Sequence, residues 1–186
     1  MQYKLTTPCA AEDLAPLKAG DTVLLSGVVY TARDQAHKRM LEALDKGEKL
    51  PFDLEGSAIY YVGPTPERPG EIIGSAGPTT SGRMDAMSPR LLDLGNKIMI
   101  GKGKRDAAVK EAVVRNGAVY LAALGGAGAL MAQSVKTLEV IAWPDLGCEA
   151  VRRLTVEEMP LTVILDAHGG DLYLSGPEAY REAQVK

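Results

Sequence analysis

The chain contains 186 residues with a mass of 19.8 kDa, a length that favours one domain and leaves little room for two full cores. Its 21 Lys and Arg residues against 24 Asp and Glu residues give a formal net charge of −3, which excludes the strongly basic surface typical of nucleic-acid binding. Apolar residues make up 46% of the chain but aromatic residues only 5%, so we expect a core of small aliphatic side chains.

The predicted strands are short apolar runs that end at Gly, Pro or polar residues. Apolar residues at helical spacing between these runs predict the helices, the first of which begins at Arg33 and ends before Gly47. The strands cover residues 21–29, 57–62, 72–73, 97–101, 118–124, 137–143 and 161–166. The helices cover residues 33–46, 91–94, 105–115 and 129–135, and residues 150–155 form a helix or a turn.

Strands and helices therefore alternate over most of the chain, which indicates an α/β fold: a single layered domain with a central sheet and flanking helices. We divide this domain, residues 1–186, into an N-terminal arm of residues 1–20, a core of residues 21–170 and a polar tail of residues 171–186. The segment 63–89 is irregular, rich in Gly and Pro, and longer than most loops of compact domains. We therefore expect it to be functional.

Hydroxyl side chains are concentrated in this irregular segment. Thr79, Thr80 and Ser81 follow one another, and Arg83 comes after a single glycine. Backbone amides and hydroxyls donate hydrogen bonds to anions, and a guanidinium can clamp a carboxylate or phosphate with two parallel hydrogen bonds. The alternative is a turn capped by its hydroxyls, with Arg83 paired to Asp85. The length of the loop favours the anion site.

Two further basic segments have the composition of anion sites. Arg33 and His37 lie four residues apart on one helix face, near the helix start, where the dipole favours an anion. The alternative for this pair is an exposed polar face. Residues 100–105 form a glycine-flanked loop that carries Lys102 and Lys104 directly after a strand, and a solvated loop is the alternative there.

A glycine-rich turn at residues 125–128 is similar to a dinucleotide-binding turn, but Met131 stands where the third glycine would be. We favour tight helix–strand packing at this turn, or contact with an anion other than a dinucleotide, over nucleotide binding. The hydroxyl and basic segments together suit a small dianion, yet they lack a strong general base or a metal. They therefore predict half of an active site, completed by groups outside this chain.

The two cysteines, Cys9 and Cys148, are far apart and form no CxxC motif. We expect no zinc site and no iron–sulfur cluster bound by this chain alone, because a cubane cluster normally needs at least three protein cysteines. A disulfide between the two is the alternative to reduced thiols. The first eight residues lack the apolar segment of a secretory signal, and no apolar stretch is long enough to span a membrane. We therefore expect a cytoplasmic protein.

Three segments, residues 27–39, 77–85 and 100–103, are together more specific than any one of them. In this order they resemble the β subunit, or C-terminal domain, of class I iron–sulfur hydro-lyases, the fumarases and L-tartrate dehydratases. The resemblance extends from about residue 5 to residue 173. It implies a swivelling β/β/α domain.

The resemblance also implies the cofactor, the partner and the reaction. A partner α subunit would carry a [4Fe–4S] cluster on three cysteines, and this chain would bind no cofactor alone. The expected assembly is a hetero-oligomer of two α and two β subunits, with a homodimer of this subunit as an alternative, and no nucleic acid or membrane partner. The reaction would be the reversible hydration of a small dicarboxylate, either fumarate to L-malate or, in the dehydration direction, L-tartrate to oxaloacetate.

Four residues match functional positions of this family. By resemblance, Thr79 is the catalytic threonine that exchanges the proton on the substrate carbon, and Arg33, Arg83 and Lys102 hold the dicarboxylate. Lys104 competes with Lys102 for the lysine position, and we prefer Lys102 because it follows the strand directly. The rival functions are a small-anion or nucleotide-binding module and a non-catalytic scaffold of the same fold.

Overall fold

A computed structural model describes residues 1–184, which form seven β-strands, six α-helices and two short 3₁₀ helices. The strands are β1 (Gln2–Thr7), β2 (Thr22–Thr31), β3 (Ala58–Tyr60), β4 (Ile98–Gly101), β5 (Val119–Ala122), β6 (Val135–Ala142) and β7 (Val151–Leu165). The α-helices are α1 (Ala11–Leu14), α2 (Asp34–Asp45), α3 (Ser88–Asp93), α4 (Ala107–Arg115), α5 (Gly128–Gln133) and α6 (Leu172–Gln184). The 3₁₀ helices are Ser81–Met84 and Pro144–Glu149.

The strands form one sheet in the order β1-β2-β3-β4-β5-β7-β6. Strands β1 to β5 are parallel to one another. Strand β7 is antiparallel to β5 and β6. A further antiparallel pairing between β2 and β7 closes β2, β3, β4, β5 and β7 into a barrel-like ring. The expected α/β fold with a central sheet and flanking helices is confirmed.

Two hydrophobic clusters lie on opposite faces of the sheet, because successive side chains of a strand point to opposite sides. In β4, Ile98 and Ile100 belong to one cluster and Met99 belongs to the other. The second cluster joins the sheet to helices α2, α3 and α4. Most buried side chains are aliphatic, as the composition predicts, although Tyr60 and Tyr120 are also fully buried.

Strand β7 differs from the sequence prediction. Residues 150–155, predicted as a helix or turn, begin a strand of 15 residues that continues through the predicted strand 161–166. Its buried positions depart from strict alternation, since Val151 and Leu154 are buried with two residues between them. Irregular pairing with β6 explains this spacing, because a bulge shifts the register by one residue.

Three other segments also differ from their predictions. The predicted arm, residues 1–20, contributes β1, which pairs along its whole length with β2, and the short helix α1. Residues 72–73 form no strand, and Ile73 instead packs in the core. The predicted polar tail contains α6, and its last two residues lie outside the described part of the chain. Across residues 1–184, no helix is both long enough and apolar enough to cross a bilayer.

Candidate functional site

The carboxyl ends of β2, β3 and β4 bring the predicted site residues to one edge of the sheet. Arg33 comes two residues after β2, and Lys102 follows β4 directly. The loop that contains Thr79 returns to the end of β3, where the Thr79 amide donates to the Tyr61 carbonyl at 2.8 Å. Because these three strands are adjacent and parallel, their carboxyl ends meet at one end of the barrel-like ring.

The hydroxyl loop is bound to the end of β4 by hydrogen bonds in both directions. The Ser81 amide donates to the Lys102 carbonyl at 2.8 Å, and the Lys102 amide donates to Ser81 Oγ at 3.0 Å. Thr80 and Lys102 form an isolated parallel bridge. Thr79 is half-buried and the Lys102 side chain is exposed, so the structure places a hydroxyl and an ammonium-bearing side chain on neighbouring backbone.

Ser81 is the buried anchor of this loop. Its hydroxyl also accepts a hydrogen bond of 2.9 Å from Tyr120, whose own hydroxyl pKa is raised by burial. Gly101 passes directly beneath Ser81, and a Cβ at Gly101 would collide with Ser81 Oγ. The glycine is therefore required for the close approach of loop and strand.

A buried ion pair holds the other end of the hydroxyl motif. The Arg105 side chain is 0% exposed, and its Nε donates to Asp85 Oδ1 at 2.5 Å. Its guanidinium also donates to Ser88 Oγ at 2.8 Å and lies 5.0 Å from the Tyr120 ring centroid. Asp85 therefore pairs with Arg105, and the predicted alternative of an Arg83–Asp85 pair is wrong.

The two predicted arginines meet at the beginning of helix α2. Arg33 is the residue before the helix, and its Nη2 lies 3.5 Å from Glu149 Oε1. Arg83 is more than half exposed, and its Nη1 lies 3.7 Å from Asp34 Oδ2. Each guanidinium thus has one carboxylate nearby, while Arg33 Nε is buried with no hydrogen-bond partner among the described residues.

His37 is buried beneath the start of helix α2. The imidazole is completely buried, and its Nδ1 lies 3.0 Å from the Arg33 carbonyl, an acceptor, so Nδ1 carries the proton. Burial lowers the His37 pKa to about 4, so the ring is neutral at pH 7. The anion at the start of α2 is the Glu149 carboxylate, which accepts from the Gln35 amide at 3.0 Å. The interpretation of His37 as part of an exposed face is therefore wrong, and its interpretation as an anion ligand stays a prediction.

The glycine-rich turn at residues 125–128 supports the site by packing. The Ala76 amide donates to the Gly128 carbonyl at 3.0 Å, and a Cβ at Gly128 would lie 2.9 Å from the Gly77 amide nitrogen. The tight packing expected here is found, but against the segment that leads to Thr79. Gly125 lies beside Lys102, because a Cβ at Gly125 would be 3.7 Å from the lysine Cδ.

The described residues do not fit an iron–sulfur cluster. Cys9 is buried in the core, where burial raises its pKa to about 11, and Cys148 is exposed. Both are free thiols. Within residues 1–184, no three His, Cys, Asp or Glu side chains are grouped in a way that could hold a metal ion.

The comparison with protein families agrees with this geometry. A family model described as "Fumarase C-terminus" matches residues 1–176. The chain belongs to the fumarase C-terminus family. This finding confirms the resemblance inferred from residues 27–39, 77–85 and 100–103.

Relatives within the family are of two lengths. "Fumarate hydratase 2" of Leishmania major is 39% identical over 168 residues, which are 87% of this chain but only 29% of that protein. The "Putative L(+)-tartrate dehydratase subunit beta" of Methanocaldococcus jannaschii is 42% identical over 87% of this chain and 86% of its own length. The "L(+)-tartrate dehydratase subunit beta" of Escherichia coli is 33% identical over 98% of this chain and 92% of its own length. The chain therefore spans under a third of the fumarate hydratase and most of each β subunit.

Three residues that lie against the two arginines of the candidate site were not predicted from the sequence. Asp34 lies inside the first motif, but its neighbour Arg83 comes from a different segment of the chain. Glu149 contacts Arg33 from a segment more than a hundred positions away, so no local pattern could reveal it. Gly63 lies against the Arg33 side chain, but the sequence marks this glycine only as the residue that ends a predicted strand.

Proposed function

We propose that this chain is the β subunit of an iron–sulfur hydro-lyase that catalyses the reversible hydration of fumarate to L-malate or the dehydration of L-tartrate to oxaloacetate. The observation that carries the proposal is the grouping of Thr79 with Arg33, Arg83 and Lys102 at the carboxyl edge of three parallel strands. The relatives' names, fumarate hydratase and tartrate dehydratase subunit beta, describe hydro-lyases and support the same reaction class.

The charge of the edge suits a dicarboxylate. Arg33, Arg83 and Lys102 contribute three cations, while Asp34 and Glu149 contribute two carboxylates at 3.5 to 3.7 Å from the arginines. At these distances the ion pairs are longer than good hydrogen bonds, so the guanidinium N–H groups remain able to donate to a substrate carboxylate. Among the side chains that the structure describes, in residues 1–181 and 183, Lys102 forms no ion pair.

Thr79 is the group that we assign to the proton on the substrate carbon. A threonine hydroxyl is a weak base unless nearby positive charge and exclusion from water lower its pKa. Thr79 is half-buried, and its loop is bridged to the backbone of Lys102. When the proton leaves the carbon, negative charge develops on the adjacent carboxylate, and the fixed cations at Arg33, Arg83 and Lys102 stabilise it.

We assign the [4Fe–4S] cluster to a partner α subunit, because the cysteines of this chain do not fit it. Two relatives of similar length are named as β subunits, which implies a partner for those proteins and supports one here. We further propose a hetero-oligomer of two α and two β subunits. This chain's part in the reaction is to bind and orient the dicarboxylate and to hold the proton at Thr79.

The direct test is co-expression with the α subunit, anaerobic cluster reconstitution, and steady-state kinetics on fumarate, L-tartrate and mesaconate. Thr79→Ala should lower kcat by about a hundredfold or more, the usual contribution of a positioned proton-transfer group. The complex should still assemble, as judged by gel filtration.

Thr80→Ala is the matched control, because Thr80 is the exposed neighbour on the same loop. It should keep kcat within about threefold of wild type. An unchanged kcat for Thr79→Ala would remove Thr79 from the mechanism. Titration of the chain with NAD and ATP tests the rival nucleotide-binding function, and we expect no binding heat.

A further inference from the structure

The clearest unassigned feature near the site is the contact between the second 3₁₀ helix, Pro144–Glu149, and the beginning of α2. We propose that Glu149 is a positioning residue that sets the guanidinium of Arg33 for the substrate carboxylate. The substrate in this inference, a dicarboxylate, is taken from the proposed function. The contact between Glu149 and Arg33 rests on the geometry alone.

Glu149 uses its two carboxylate oxygens for different tasks. Oε2 accepts from the Gln35 amide at 3.0 Å, which satisfies one of the free N–H groups at the start of α2. Oε1 lies 3.5 Å from Nη2 of Arg33. Both charged side chains are under 20% exposed, so solvent screens their attraction only partly. The carboxylate cannot move to follow the arginine without uncapping the helix.

The opposite side of the Arg33 side chain is bounded by Gly63. A Cβ at Gly63 would lie 2.7 Å from Arg33 Nη1 and 3.2 Å from the Cys148 carbonyl oxygen. Arg33 therefore lies in a slot between the backbone that follows β3 and the segment that precedes Glu149. Packing restricts the stem, and the carboxylate sets the direction of the charged end.

The remaining donors of Arg33 explain why this contact helps binding. A guanidinium has five N–H donors in a planar fork, and Glu149 interacts with one edge at a distance longer than a good hydrogen bond. A substrate carboxylate can therefore accept a hydrogen bond from the charged end of Arg33 without displacing Glu149. Preorganisation of this kind lowers the entropy lost by a flexible arginine on binding.

A second contact anchors the same 3₁₀ helix and provides a matched control. Arg39 donates to both carboxylate oxygens of Asp145, at 3.0 and 2.5 Å, from the exposed side of α2. This pair joins the same two elements as Glu149 does. A purely structural effect of loosening the segment should thus appear equally in Asp145→Asn.

The test is Glu149→Gln in the reconstituted two-subunit enzyme. The amide oxygen of glutamine can still accept from the Gln35 amide, so the change removes mainly the charge that faces Arg33. We expect KM for the dicarboxylate to rise about tenfold, because Arg33 holds the substrate carboxylate, and kcat to fall by a smaller factor, because Thr79, which takes the proton, is unchanged. Asp145→Asn should leave KM within about twofold of wild type.

A double-mutant cycle isolates the contact from other effects. In an Arg33→Ala background, Glu149→Gln should change KM no further, because its target is gone. An equal KM increase in both backgrounds, or an equal increase in Asp145→Asn, would overturn the positioning role. An unchanged KM for Glu149→Gln in an active enzyme would overturn it as well, and would leave the proposed function intact.

A readout without turnover separates this inference from the proposed function. Arg33 Nε is buried, so its N–H should exchange slowly with solvent in ¹⁵N-arginine NMR spectra of the full chain. We expect fast exchange in Glu149→Gln and slow exchange in Asp145→Asn. If the wild-type complex turns over no dicarboxylate, the proposed function fails. The exchange rates remain a separate test: fast exchange in Glu149→Gln alone supports the placement of Arg33 by Glu149, and equal rates in the two variants refute it.

Discussion

The buried imidazole of His37 should make the protein sensitive to mild acid. Burial lowers its pKa from 6.5 to about 4, so between these values the unfolded chain binds a proton that the folded chain excludes. The unfolding free energy therefore rises with pH in this window. The stabilisation is fully present above pH 6.5 and is lost as the pH falls towards 4. At about 1.36 kcal/mol per pKa unit, the loss amounts to about 3 kcal/mol.

Urea unfolding followed by circular dichroism at pH 7, 6, 5 and 4 measures this slope. The variant His37→Gln keeps an amide donor for the Arg33 carbonyl and removes the titrating group. It should be less stable than wild type at pH 7 and should lose much less stability between pH 6.5 and pH 5.

Aspartates whose pKa values are lowered by ion pairs do not cause a loss of stability in the same pH range. The pKa of Asp93 is lowered by its hydrogen bond with Arg115, and the pKa of Asp145 is lowered by its hydrogen bond with Arg39. Their stabilisation is present above their ordinary values near 3.8 and disappears only at lower pH, below the range that isolates His37. If His37→Gln and wild type lose stability equally between pH 6.5 and pH 5, the explanation is refuted.

Two further predictions concern charged residues around the loop. Asp85→Ala leaves the Arg105 charge buried without its carboxylate and should lower the unfolding free energy by about 3 kcal/mol. Asp93→Ala removes one partner of a half-exposed ion pair and should lower it by less than about 1 kcal/mol. Urea unfolding measures both. Lys102→Ala should raise KM for the dicarboxylate about tenfold and Lys104→Ala less than about threefold, because Lys102 is bridged to the hydroxyl loop. A larger rise in KM for Lys104→Ala than for Lys102→Ala would exchange their assignments, and equal effects would refute the preference for Lys102.

The sequence predicted the elements best where one physical signal dominated. Helix α2 was placed within one residue at each end, because its apolar face has helical spacing and Gly47 follows it. Strands β4 and β5 are continuous apolar runs buried on both faces, and they were also found. Strand β7 was missed in its first half, since its register shifts against β6 break the alternation on which the prediction depended.

The site was predicted in part for the same reason. Thr79 and Arg83 lie in one short motif, so local sequence was enough to select them as candidates. The partner of Asp85 could not be read locally, since Arg105 reaches it only after β4 has placed the next loop beside the motif. Glu149 is more remote still, and only the pairing of β7 with β2 brings its segment to Arg33.

The two carboxylates at the site edge offset the repulsion between the cations there. Like charges collected at one edge repel each other, and the repulsion is largest where burial weakens screening. Glu149 beside half-buried Arg33 and Asp34 beside Arg83 reduce this repulsion at 3.5 and 3.7 Å. Because neither contact is a close bidentate pair, each arginine keeps donors for the substrate. Removing either carboxylate should therefore loosen the arginine geometry even though it makes the edge more positive.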